Sequence, residues 1–200
     1  MSSGAAVFDF DKTLVHQETL ALFLRAVAGR GACLSACCVA GVKAAKVSAE
    51  KRMPVFRAEL LKRTLAGKTL SQVNAAAEQV FEKLKWNGWV NSELASHQNA
   101  GRKVIVATGS LSVYMPVLLR CKGIAVDDLL STEMAIDGNT LTGEMVTPSC
   151  TWEEKAMRVK SWLINVEGPV WGYGNMPHDG AMLDLTDFPS VVQHRQVTRG

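Results

Sequence analysis

The stretch "VFDFDKTL", from Val7 to Leu14, places two aspartates one residue apart at the end of an apolar run. If the strand predicted by "AAVF" continued through them, Asp9 and Asp11 would share one side of it, and two like charges would crowd together. Such a pair resists full ionisation unless a cation or a proton compensates. A turn or helix-capping role is one resolution. The other is chemical: one carboxylate acts as a nucleophile that accepts a phosphoryl group, and its neighbour gives and takes a proton. A hard cation with oxygen ligands would then absorb the charge.

Three further clusters carry the partners such chemistry needs. Thr108-Gly109-Ser110 follows the apolar run "VIVA". A hydroxyl there either caps the next helix or, with nearby N–H groups, holds an anionic oxygen. Lys155 falls early in the stretch "TWEEKAMRV"; it is either a surface lysine or the fixed cation that a transferring phosphoryl group requires. The loop "GNMPHD" offers oxygens from Asn175 and Asp179. Its His178 reads as a solvent-facing loop histidine, and His16, His97 and His194 show no partner in the sequence.

The elements that must position these groups follow from periodicity. Residues 5–10 predict a first strand, and from about Glu18 to Gln98 the pattern is helical throughout. Gly29, Gly31, Gly67 and Gly88 are expected helix stops, with Thr69 or Ser71 as a cap. Strand character returns at Lys103–Thr108, followed by a helix in "SVYMPVLLRCKG" and a hairpin turning at Asp137-Gly138-Asn139. A helix from Trp152 to about Asn165, the strand "PVWGYG", a short helix near "GAMLDL" and an edge strand "SVVQ" complete the series. The order predicts an open, mainly parallel, Rossmann-like α/β sheet with a helical domain inserted after the first strand.

Composition narrows the class. Two hundred residues with 48% hydrophobic and 20% charged residues suit one core plus a small insertion. A net charge of +3 without an evident Lys/Arg-dense stripe does not suggest nucleic-acid binding. The five cysteines Cys33, Cys37, Cys38, Cys121 and Cys150 match neither a disulfide framework nor a zinc spacing. Packing roles and a reducing, cytoplasmic setting are expected. "ACLSACCVAGV" (residues 32–42) is too short to span a bilayer, so no stable membrane insertion is expected.

In order and spacing, "DFDKT" (9–13), "VIVATGS" (through Thr108), "GEMVTPSCTWEEK" (ending at Lys155) and "GYGNMPHD" (172–179) together resemble the haloacid dehalogenase superfamily, in the branch that includes phosphoserine phosphatase. The resemblance implies a catalytic core from residues 1–16 and 99–200 and a helical cap from 17–98. It implies that Asp9 attacks phosphorus, that Asp11 serves as acid and then base, and that Thr108, Gly109 and Lys155 bind the phosphoryl oxygens. Mg2+ would be held by Asp9, the Asp11 carbonyl, Asn175 and Asp179.

The sequence also departs from the family pattern. Asn175 stands where the family usually has Asp, which removes one negative charge from the metal site. Ser110 places a side chain where, in phosphoserine phosphatases, a bare glycine backbone would approach the substrate, which makes it a candidate substrate contact. Glu18 and Arg63 match, more loosely, the positions of cap residues that contact phosphoserine. The expected activity is hydrolysis of a small phosphomonoester, with phosphoserine not the leading substrate. A lipid phosphate is a further candidate if "ACLSACCVAGV" meets an acyl chain instead of packing within the cap. A non-catalytic phospho-ligand-binding homologue and a phosphotransferase are the alternatives, and oligomeric state is not legible.

Overall fold

The computed structural model describes residues 4–193, so the expectation for His194 lies outside the described residues. The first strand, β1 (Ala5–Phe8), is buried along its whole length. A strand between two layers of helices needs apolar groups on both faces, which is why it reads as a continuous run. After it come helices α1 (Thr19–Ala28), α2 (Arg30–Ala44), α3 (Ala49–Leu65), α4 (Leu70–Phe81) and α5 (Gly88–Asn99). The chain continues through β2 (Lys103–Leu111), α6 (Met115–Lys122), β3 (Asp128–Thr132), β4 (Met134–Asp137) and β5 (Thr140–Met145). It then forms α7 (Trp152–Leu163), β6 (Val170–Gly174), α8 (Gly180–Leu183) and β7 (Phe188–Val191).

Five strands form one parallel sheet in the order β3-β2-β1-β6-β7. Phe8 lies level with Val106 on one side and Tyr173 on the other. The residues just past Phe8, Val106 and Tyr173 therefore emerge together at the carboxyl edge, where the strand order changes direction and ligands of such sheets bind. Alternation divides the side chains: Ala6, Phe8, Val104 and Val106 enter one core, while Val7, Ile105 and Ala107 enter the other with Val159 and Met182.

The first core continues upward through Tyr114 and Leu118 to Phe23, Leu61 and Val80, so sheet and helical insertion share one apolar cluster. α5 lies directly on the sheet, with Val90, Leu94 and His97 buried and His97 edge-on to Phe8. The β4–β5 hairpin leaves the sheet to meet the insertion. Gly67 N–H donates to Leu141 O, and Leu141 N–H donates to Lys68 O, each at 2.8 Å. Gly143 (φ 83°) approaches α3 so closely that a Cβ there would stand 2.9 Å from the Lys62 backbone.

Several local expectations shift. β1 stops at Phe8 because the chain turns at the aspartates, with Lys12 at φ 59°. β2 runs on to Leu111, through a register shift after Ala107. Thr69 caps α4 in a reciprocal box with Gln72, whereas Gly31 lies inside α2 and Gly88 begins α5. The hairpin turns at Gly138 (φ 56°) as its sequence predicts. All five cysteines are free, with Cys33 and Cys150 buried. Among the described residues, no single helix is long and apolar enough to cross a membrane.

Candidate active site

Asp9 follows the last residue of β1 and is tied to β6 by its backbone N–H, 2.8 Å from Tyr173 O. Its carboxylate accepts from Thr13 Oγ1 at 2.8 Å and from Lys155 Nζ at 2.7 Å. Lys155 projects from the first turn of α7 and also donates to Asp179 Oδ1 at 2.6 Å. All three charged groups are buried. Gly174 admits Asp179, since a Cβ at Gly174 would stand 2.7 Å from the Asp179 Cβ.

Asp11 occupies a different environment two residues on. Thr19, the first residue of α1, donates its N–H to Asp11 Oδ1 at 2.6 Å, and Ser110 Oγ donates to Oδ2 at 2.5 Å. Asp11 therefore supplies the helix start with a carboxylate that Glu18 does not provide. Behind Ser110 stands a buried hydroxyl cluster, with Tyr114 OH donating to Ser110 Oγ at 2.7 Å and Thr19 Oγ1 within 3.1 Å of both. Burial holds the Tyr114 hydroxyl far above its ordinary range, so it remains a donor.

The electrostatics separate the two carboxylates by environment more than by mutual crowding. Burial pushes Asp9 upward while Lys155 pulls it back, and Asp11 is the least of its influences. Burial also pushes Asp11 upward, against the hydrogen bonds from Ser110 and Thr19. Burial alone would lower Lys155, but the Asp9 and Asp179 carboxylates override it and raise it, keeping the ammonium charged. The like-charge clash read from the alternating pattern is thus mostly a desolvation effect, because the chain turns at Asp9 and the two side chains acquire separate partners.

Among known proteins, a family model described as haloacid dehalogenase-like hydrolase matches residues 6–184. The chain belongs to the haloacid dehalogenase-like hydrolases. No curated protein sequence matched this hydrolase. In fold it is similar to a protein with unknown function from Bordetella pertussis Tohama I, at 17% identity and TM-score 0.69 over 94% of this chain and 88% of that one. It is also similar to a HAD family hydrolase from Salmonella enterica serovar Typhi, at 16% identity and TM-score 0.66 over 92% of this chain. A probable phosphoserine phosphatase from Vibrio cholerae aligns at 15% identity and TM-score 0.62 over 94% of this chain. The hydrolase spans 61% of the Salmonella chain and 55% of the Vibrio chain. The family model thus shows the hydrolase family, and the solved structures share its fold.

The hydrolase gathers most of the sequence-predicted residues at one edge and leaves others aside. Thr108 is buried within β2 at its register shift, its Oγ1 accepting from Ser110 N–H at 3.1 Å. Gly109 presses against Thr151, where a Cβ would come within 2.5 Å of Thr151 Cγ2. Ser110 directs its hydroxyl at Asp11. Glu18 pairs with Lys12 at the rim. Arg63 is turned away, bound to Glu59 at 2.5 Å.

Arg57 is the arginine that the hydrolase brings inward, and sequence reasoning missed it. It donates from NH2 to Gly109 O, and its Nε is buried with no partner among the described residues. Burial works against its charge, and Asp11 and Glu18 are among the groups that restore it. The signal was present: Arg57 precedes buried Leu61, Thr64 and Leu65 at helical spacing, on a stripe that Arg63 does not share. His97 likewise has partners the sequence did not show, with Nε2 3.0 Å from Tyr173 OH and Nδ1 3.2 Å from Arg102.

The oxygens present fit a magnesium ion. Asp9 Oδ2, the Asp11 carbonyl and Asp179 Oδ2 converge on one point, the Asn175 amide nitrogen, at 3.2, 3.1 and 3.1 Å. Two carboxylates and a carbonyl are hard donors of the kind Mg2+ takes, and turning the Asn175 amide brings its oxygen toward the same point.

Proposed function

We propose that the protein is a Mg2+-dependent phosphomonoesterase that works through an aspartyl-phosphate on Asp9. The observation that carries this reading is the buried Lys155 ammonium held between Asp9 and Asp179, beside three converging oxygens. Asp9 is positioned by Thr13 and Lys155 to attack phosphorus, while Thr108 and Gly109 line the same edge to receive the phosphoryl oxygens. Asp11, shifted upward and held by Ser110 and Thr19, protonates the leaving oxygen and then takes a proton from the hydrolytic water. Mg2+ held by Asp9, Asp11, Asn175 and Asp179 would supply neutralisation of phosphoryl charge.

Helices α1–α4 serve as the cap in this reading, with α5 part of the sheet's own layer. Arg57 replaces Arg63 as the cap residue that meets substrate. Its unpartnered Nε supports an anionic or carbonyl group on the leaving side of the phosphoester. The test is hydrolysis of an aryl phosphate with and without Mg2+, for wild type and Asp9→Asn. Mg2+-dependent release in wild type alone supports the assignment; equal release from both proteins across a broad phosphoester panel sinks it.

A further inference from the structure

The mild overall charge hides a strong internal division. Residues 19–65 hold nine Lys/Arg against two Asp/Glu, a net of +7, so the rest of the chain carries −4. This segment is α1–α3, and its outer surface is unusual in a second respect. Helix α2 buries small residues, Cys33, Ala36, Ala40 and Ala44, which lets it lie close to α3. Its opposite stripe presents Leu34, Cys38 and Val42 at four-residue spacing, with Leu34 69% and Val42 60% exposed. The α2–α3 turn adds exposed Lys46, and the start of α3 adds exposed Lys51, Arg52 and Met53, with Met53 71% exposed. Among the described residues, no carboxylate pairs with Lys46, Lys51 or Arg52, whereas Lys43, Lys62 and Arg63 are already engaged.

We propose that this face of α2, the α2–α3 turn and the start of α3 dock on the surface of an anionic phospholipid bilayer, with Leu34, Val42 and Met53 entering the interface and Arg30, Lys46, Lys51 and Arg52 meeting the headgroups. Along α2 and its end, Leu34, Cys38 and Val42 run at four-residue spacing between Arg30 and Lys46, and exposed apolar side chains bracketed by cations suit an anionic membrane interface. The occupant follows from charge and shape. A second copy of the same face would oppose like charges across a symmetric contact. A single-stranded nucleic acid would want aromatic side chains for stacking, and this stripe presents aliphatic ones. The greasy stretch noted in the sequence is thus only half accounted for by packing inside the cap. Its other half is free for a partner.

The experiment is sedimentation of the full chain with vesicles of phosphatidylcholine alone and of phosphatidylcholine mixed with phosphatidylglycerol. Binding should favour the anionic vesicles by about tenfold or more and collapse as NaCl is raised to about 0.5 M. The combined variant Lys46→Glu/Lys51→Glu/Arg52→Glu should lose at least about tenfold of that binding. Leu34→Ser/Val42→Ser/Met53→Ser should also lose about tenfold, which separates interface insertion from simple charge attraction. The thermal midpoint checks that both variants fold, so docking is read whether or not the chain turns over a phosphoester. No sedimentation, equal partition onto neutral vesicles, or full binding by either variant overturns the proposal. So does preference for a single-stranded oligonucleotide that the aliphatic variant leaves intact.

Discussion

Ser110 donates its hydroxyl to the Asp11 carboxylate at 2.5 Å, joining the end of β2 to the turn after β1. The bond favours the ionised form of Asp11, and Ser110 is in turn held by Tyr114 at 2.7 Å. Ser110→Ala removes a donor to the charged form, so the Asp11 carboxyl rises further above its ordinary range. A general acid loses activity as pH climbs through its own value. The alkaline limb of kcat should therefore move to higher pH in the variant, with kcat itself lower by about tenfold or more. A pH–rate profile of aryl phosphate hydrolysis reads both effects.

Lys155→Met should be severe for fold and chemistry alike. It leaves Asp9 and Asp179 buried without their shared cation. Breaking a buried pair by removing one partner costs about 3–5 kcal/mol, measurable as a lower urea midpoint. Activity should fall by at least about a thousandfold, because both the phosphoryl contact and the orientation of Asp9 are lost.

Asn175→Asp should act with opposite signs in the presence and absence of Mg2+. The amide nitrogen now satisfies Asp9, the Asp11 carbonyl and Asp179 at once. A third carboxylate removes that donor and adds repulsion, so the thermal midpoint without metal should fall. With Mg2+ the added charge should lower the half-saturating concentration by about tenfold. Melting curves with and without the ion decide the matter.

Arg57→Ala and Arg63→Ala separate the two cap arginines. Arg57 reaches Gly109 O from a half-buried position, whereas Arg63 is an exposed partner of Glu59. The first substitution should raise KM for the best substrate of a phosphoester panel by about tenfold or more. The second should leave it unchanged, since an exposed ion pair contributes little.

His97 provides a stability switch away from the chemistry. Burial, then the neighbouring Arg102, depress it below its ordinary value near 6.5. The folded state therefore keeps it neutral at pH values where the unfolded chain binds a proton. Its contribution is full above about pH 6.5 and is lost as pH falls toward the depressed value. The raised carboxyls of Asp9 and Asp11 act in the other direction, so the comparison must be between wild type and His97→Gln. The gap between their thermal midpoints should change between pH 7 and pH 5, roughly the range over which the unfolded histidine titrates.

Much of the fold was legible because its signals are local. Apolar runs marked β1, β2 and β6, and Asp9, Lys155 and Asp179 each lie at a strand end or beside a helix start, where spacing alone places them. What escaped depends on contacts remote in sequence. Ser110 reads as a substrate-facing side chain until Thr19 and Tyr114 are seen beside it. Arg63 reads as the inward arginine until α3 is oriented by Leu61 and Leu65. The basic insertion vanished in a whole-chain average because the rest of the protein is acidic.

The hairpin on α3 bears on how a substrate arrives. Two chain crossings alone would leave the insertion free to swing like a door. The bonds between Leu141 and residues 67 and 68 add a fastening at the far side, made from the sheet's own appendage. Opening must either unzip that fastening or carry the hairpin along with it. The Gly67 and Leu141 amides are therefore the latch whose hydrogen exchange would report the door ajar.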